Sequence, residues 1–325
     1  MKMIYIVVPE HAVLQAVADP QYCFNTVNEF LQVSGKEPLF KVQLVGEKRE
    51  VRFSGNQFSV TVDQVLSETG VADLVIVPAL FGEMTTAVSA NAKLAEWIVW
   101  QYKEGAEIAS LCVGAFLLAS TGLLNGKKCS THWGYINTFR DMFPDVIIQD
   151  GSIVTEQHRV YTSGGASSYW NLLLHLVEKY TDRQIAILVS KYFAIDIDRS
   201  SQSAFAVFTA QKNHNDEAVR QAQDFIEQNI EDRLTIDDIA SHVALGRRSL
   251  ERRFKHATNN SVLEYIQRVK IEAAKKSFES SRKNINEVMY DVGYTDTKAF
   301  RSTFKKITGL TPIEYKNKYN KLAVA

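Results

Sequence analysis

Cysteine is scarce in this chain: of 325 residues only Cys23, Cys112 and Cys129 carry thiols. An odd set of three without metal-ligand spacing argues against a disulfide framework or a structural metal, and suits a reducing compartment. Long hydrophobic runs are also missing. No stretch approaches the roughly 18 apolar residues that span a bilayer. The opening MKMIYIVVPEH has too short an apolar core for a secretory signal and reads as a first strand. The expectation is a soluble cytoplasmic protein with no membrane partner and no cofactor.

Net charge is absent as well, with 37 Lys and Arg against 37 Asp and Glu. That balance hides segregation. Residues 241–325 hold 18 basic and 8 acidic side chains, which leaves 19 against 29 for residues 1–240. An acidic body followed by a basic domain suggests a polyanion as the partner of the basic part.

What is present begins with an alternation of short apolar runs and helical patterns up to about residue 195. Ile4–Val8, Phe40–Val45, Leu74–Val77 and Ile108–Leu111 read as buried strands; Asn25–Val33, Asn91–Tyr102, Gly114–Leu124, Ser168–Tyr180 and Arg183–Phe193 read as helices. The pattern predicts an α/β domain, a parallel sheet sandwiched by helices, with ligands bound outside the carboxyl ends of the strands. Within it, ASLCVGAFLL puts Cys112 between the small residues Ser110 and Gly114 at a strand-to-helix junction, the steric pattern of a nucleophile elbow. Amides of the following helix would favour a thiolate there.

The runs SLCVGAFLLASTGLLNGKKCSTHW and VYTSGGASSYWNLLLHLVEKY make residues 1–195 resemble the DJ-1/PfpI family, of class I glutamine amidotransferase-like fold. The resemblance implies a cysteine paired with a histidine and an acid. This sequence departs from that pattern: Val113 follows Cys112, Gln15 takes the place of the acid, and the turn after Val77 reads PALFG. His132 survives in THW. Cys112, His132 and Gln15 are therefore the candidate lining of a vestigial pocket, with no catalytic residue expected, and the domain is expected to sense a ligand or dimerise.

Residues 196–214 lose periodicity and read as a linker, and a helix begins near Asn215. An internal repeat then dominates residues 215–325. Thr235–Tyr265 returns as Asn284–Tyr315, with Phe254, Lys255, Thr258, Glu264 and Tyr265 answered by Phe304, Lys305, Thr308, Glu314 and Tyr315. Each copy reads as helix, turn, helix: Ile236, Ile239, Ala240 and Val243 lead to a turn at Leu245 and Gly246 and anchors at Leu250 and Phe254. Ile285, Val288, Met289 and Val292 lead to Gly293 and anchors at Ala299, Phe300 and Phe304. The connecting helix should run from Val262 to Ser280. Two helix-turn-helix motifs in an all-α domain place two second helices where major grooves are read.

The stretch DVGYTDTKAFRSTFKKITGLTPIEYK makes this segment resemble the AraC/XylS family of transcriptional regulators. The candidate DNA-binding residues are Arg247, Arg248, Ser249, Glu251, Arg252 and Arg253 in the first copy. In the second they are Thr295, Thr297, Lys298, Arg301, Ser302, Lys305 and Lys306. Arginine suits guanine edges, whereas lysine and hydroxyl groups more often hold phosphates. The expected function is a sequence-specific transcriptional regulator of double-stranded DNA, a homodimer with a small-molecule effector. The alternative is a cysteine-dependent hydrolase or glyoxalase-like enzyme fused to a DNA-binding module.

Overall fold

Short β-branched runs bounded by turns form the strands of the first part of the chain. The computed structural model describes residues 1–53, 57–209, 211–212 and 214–320, divided into two compact units at 202/203. The first unit runs β1 (Lys2–Val7), α1 (Leu14–Val33), β2 (Phe40–Gly46), β3 (Glu50–Phe53), β4 (Phe58–Thr61), β5 (Gln64–Val65) and β6 (Leu74–Val77). It continues through α2 (Met84–Ser89), α3 (Ala92–Lys103), β7 (Glu107–Ser110), α4 (Ala115–Ser120), β8 (Lys128–Cys129) and α5 (Ile136–Met142). It ends with β9 (Ile147–Ile148), β10 (Val154–Gln157), β11 (Val160–Ser163), α6 (Tyr169–Tyr180) and α7 (Arg183–Tyr192).

Among the described residues one seven-stranded sheet has the order β10-β11-β7-β6-β1-β2-β5, parallel except for the edge strand β10. All four residues of β6 are buried, as a strand covered on both faces requires. Helices α1, α6 and α7 pack on one another and on the sheet; α2, α3 and α4 form a second group on it. The predicted parallel sheet between helices is therefore present.

Two differences from the sequence reading have local causes. Helix α1 starts at Leu14 rather than Asn25 and runs through Pro20, which is buried on its inner face. Tertiary packing has outweighed the missing amide. Residues 112–124 form a short 3-10 turn, the six-residue α4 and further turns instead of one helix, with Gly122 at φ +76° breaking the periodicity.

The second unit is all-α: α8 (Glu217–Gln228), α9 (Ile236–His242), α10 (Arg247–Thr258), α11 (Val262–Ser280), α12 (Ile285–Asp291), α13 (Thr297–Thr308) and α14 (Pro312–Tyr319). Its helix starts are written in side chains. Thr235, Ser261, Asn284 and Thr311 each close a capping box with the acidic residue three positions on. The copies end alike, at Asn259 and Gly309 in the left-handed conformation. Thr258 and Thr308, both buried, each donate a hydroxyl to the carbonyl four residues back.

Two small cores result. Leu250, Phe254, Val262 and Tyr265 belong to the first; Phe278, Phe300, Phe304 and Tyr315 belong to the second. The connector α11 feeds both, and its bounds match those read from the sequence. Ala299, expected as an anchor, is exposed instead, since Phe300 and Phe304 already fill the inner face of α13.

The stretch read as a linker is divided between the units. Gln202 is 1% exposed and donates to the carbonyls of Thr131 and Ser152, and the Ser200 carbonyl accepts from Ile153, so residues 196–202 close the first unit. Beyond it, the Ala206 carbonyl accepts from Lys275, Phe208 donates its amide to Glu272, and its ring meets Tyr265. These are contacts of the second unit. Residues 210, 213 and 321–325 lie outside the described residues.

Candidate DNA interface and elbow site

At the end of β7 the chain turns sharply at Cys112, whose φ of +54° is the strained conformation of an elbow. The turn presses against the strand beside it. A Cβ at position 114 would lie 2.4 Å from the Pro78 carbonyl oxygen, so only glycine fits, as the small-residue pattern implies. Cys112 donates its amide to Ser163 Oγ at 3.2 Å, and its carbonyl accepts from Thr131 Oγ1 at 3.3 Å. The backbone of a nucleophile elbow is intact.

Its chemistry is not. Burial, with Cys112 only 4% exposed, pushes the thiol up to about 12, and the opposing pull of the Val113 amide is the smaller effect. This reverses the expectation that helix amides would favour a thiolate: desolvation outweighs them. His132 is turned to a structural task. Its Nδ1 accepts from the Gly134 amide at 3.1 Å, its ring lies against Trp133 and Tyr135, and burial lowers its pKa.

Among the described residues no hydrogen bond joins His132 to Cys112. Gln15 is exposed on the first turn of α1. The nearby acids are committed elsewhere: Asp19 accepts from Tyr169 and Trp170 at 2.6 and 2.9 Å, and Glu10 pairs with Lys48 at 2.6 Å. Among the described residues no hydrogen bond links any two of Cys112, His132 and Gln15.

A separate cavity of about 580 Å³ opens at the carboxyl ends of β1, β2 and β6, lined by Glu10, His11, Lys48, Arg52, Phe53 and Phe81 among others. Chain order reverses between β1 and β6, which makes this the switch point of the sheet. Buried Asn91 grips Glu10 at both its amide and its carbonyl, and His11 follows at φ +63°. Apart from Glu10, an acid close to Gln15, and Phe81 in the PALFG turn, none of these residues stands out in the sequence. The signal available was PEH directly after the first strand.

In the second unit, α10 and α13 are the second helices of the two motifs. Arg248 and Arg252 are exposed and, among the described residues, make no ion pair. Arg247 pairs with Asp237 at 3.2 Å and with Glu251 at 3.4 Å. Arg253 is bidentate on Asp216, at 2.8 and 2.6 Å, which holds α10 against the start of α8 and keeps the Asp216 carboxyl below its usual range. Two of the four arginines are thus engaged within the protein, and Ser249 and Glu251 are half-buried.

On α13 and the turn before it, Thr295, Lys298, Arg301, Ser302, Lys305 and Lys306 are exposed, with Thr297 half-buried as the first helical residue. None of the four cations makes a salt bridge among the described residues. Among the described residues of the whole chain, no group of His, Cys, Asp and Glu could hold a metal ion, and no helix is long and apolar enough to cross a membrane.

Comparison with known proteins agrees with this geometry. A helix-turn-helix domain matches residues 239–318 and the DJ-1/PfpI family matches residues 29–179. The HTH-type transcriptional regulator GbdR of Pseudomonas aeruginosa is 24% identical over 86% of this chain and 76% of its own. The HTH-type transcriptional regulator ArgR of the same species is 29% identical over 66% of this chain and 65% of its own. The crystal structure of an AraC family transcriptional regulator from Pseudomonas putida superposes on 59% of this chain and all of its own, with a TM-score of 0.50 at 15% identity, a likeness of fold. The chain thus joins a region that matches the DJ-1/PfpI family to one that matches a helix-turn-helix domain, and is similar over most of its length to HTH-type transcriptional regulators.

Proposed function

We propose that this protein is a sequence-specific transcriptional regulator that binds double-stranded DNA through α10 and α13 in the bacterial cytoplasm. The observation that carries the reading is a duplicated motif whose second helices expose cations without acidic partners, in a domain of basic excess. Residues 1–202 form the regulatory unit, pairing two chains and holding a small effector; residues 203–320 read DNA. Support for an effector comes from the cavity at the switch point, whose volume suits a small molecule. Enzymatic use of the elbow is disfavoured by a protonated thiol without a histidine or acid partner.

The experiment is selection of duplexes from a randomised pool by the full chain, followed by footprinting and sedimentation with and without the selected DNA. A repeated sequence motif bound by a dimer is expected. Enrichment of no sequence at all would sink the reading.

A further inference from the structure

Lys270 lies in the middle of α11, and lysine is almost never buried without a reason. It is 6% exposed, and its Nζ donates to three backbone carbonyls: Ile230 at 2.8 Å, Asp232 at 2.8 Å and Val292 at 3.0 Å. An ammonium has three donors, so all of them are used. Among the described residues it makes no salt bridge, and it is too enclosed to reach a phosphate.

The location gives these bonds meaning. Val269, just before it, belongs to the core of the first motif, and Ile271, just after it, to the core of the second. The Ile230 and Asp232 carbonyls belong to the segment that leads into the first motif; Val292, whose carbonyl is the third acceptor, is the C-cap residue of the first helix of the second. Ile230 also packs against both cores. Gly293, at φ +70°, completes the joint: a Cβ there would lie 2.4 Å from the Glu231 carbonyl oxygen and 2.5 Å from Lys270 Nζ.

We infer that Lys270 is a positioning residue that fixes the separation and angle of the two second helices, so that both motifs act as one rigid reader. This rests on the reading of the chain as a DNA-binding regulator that uses both motifs on one duplex. An apolar side chain of like volume could fill the site, but it would not tie three carbonyls from two motifs to one atom.

The test uses the full chain and its selected duplex, with one base pair inserted between the two footprints of a single chain. The insertion shifts the second site by about 3.4 Å and about a tenth of a turn. Wild-type affinity should fall ~10-fold, the cost of a poor base contact. Lys270→Met should lose under ~3-fold on the insertion, while its affinity for a duplex holding either footprint alone stays as in the wild type. Gly293→Ala, which crowds the same joint with the lysine in place, should share that tolerance.

A mere loss of stability would lower the active fraction without changing spacing preference. Wild-type indifference to the insertion, or a K270M or G293A protein as selective as wild type, overturns the inference. So does K270M with its helical circular dichroism lost, since the lysine is then a fold residue alone. Failure of the wild type to select any sequence is a different result, and overturns the functional reading beneath it.

Discussion

The two helix-turn-helix copies share their caps, their threonine back-bonds and their aromatic anchors, yet they deploy charge differently. In the first, Arg247 and Arg253 are held by Asp237, Glu251 and Asp216, leaving Arg248 and Arg252 at the surface. In the second, Lys298, Arg301, Lys305 and Lys306 have no such partners among the described residues. The copies also differ at the turn: Ala244 takes a left-handed φ of +51° where the second copy has Gly293 at +70°. Duplication has preserved the packing that makes a motif while the exposed faces and the turn have diverged. A count of arginines therefore overstates what the first copy can offer to DNA.

The largest effects should test the shared part. Phe254→Ala and Phe304→Ala each empty a fully buried anchor and should destabilise the unit by about 3–5 kcal/mol in denaturant unfolding. Equal costs would support equivalent cores; a difference above about 2 kcal/mol would break the comparison.

Binding should then separate the faces. Arg252→Ala is expected to cost about 1–3 kcal/mol on the selected duplex and to relax preference at particular base pairs. Lys305→Ala should weaken all sequences alike and reduce the salt slope by about one unit. A panel of single-base variants showing the reverse division would contradict this assignment.

Smaller effects concern the turn and the buried-side arginine. Ala244→Gly relieves a left-handed alanine and should stabilise the first motif by up to about 1 kcal/mol, an increase readable in chemical unfolding. Arg253→Ala should lower Tm at neutral pH with a pH signature. Because Arg253 depresses the Asp216 carboxyl, its stabilisation is full above the ordinary Asp range and is lost as pH falls through the lowered value. The gap between R253A and wild type should close below about pH 4; a gap independent of pH would assign the loss to packing.

The smallest effect is expected in the other unit. Cys112→Ser should leave DNA affinity unchanged, and the wild-type thiol should react with iodoacetamide at pH 7.5 no faster than in the unfolded chain. Rapid alkylation of the folded protein would restore the elbow as a reactive site.

Periodic features were legible before any coordinates. The connector Val262–Ser280, β6 and the two apolar stripes follow from spacing alone, because each repeats a pattern along one element. Features set by distant partners were not. Asp216 lies 37 residues from Arg253, so nothing local marks that arginine as structural. The β3–β4 hairpin and the switch-point cavity depend on which strand ends the sheet brings together. Leu245 and Gly246 do lie in the turn between α9 and α10, but the left-handed residue that opens it is Ala244, and an alanine carries no signal for that conformation. At Cys112 the pattern gave the backbone correctly but not the pKa, which depends on how completely neighbours exclude water.

The length of α11 has a consequence for target sequences. Its 19 residues span about 28 Å, whereas successive major grooves on one face of B-DNA lie about 34 Å apart. A reader whose motifs are set by this connector engages both grooves most readily where the duplex yields between them. Pyrimidine–purine steps such as TA and CA yield most easily. The sequence logo obtained from selected duplexes should then show information at central positions that neither helix touches. The protein would be choosing there by mechanical compliance, and replacing those steps with a stiff A-tract should weaken binding without altering a single contacted base.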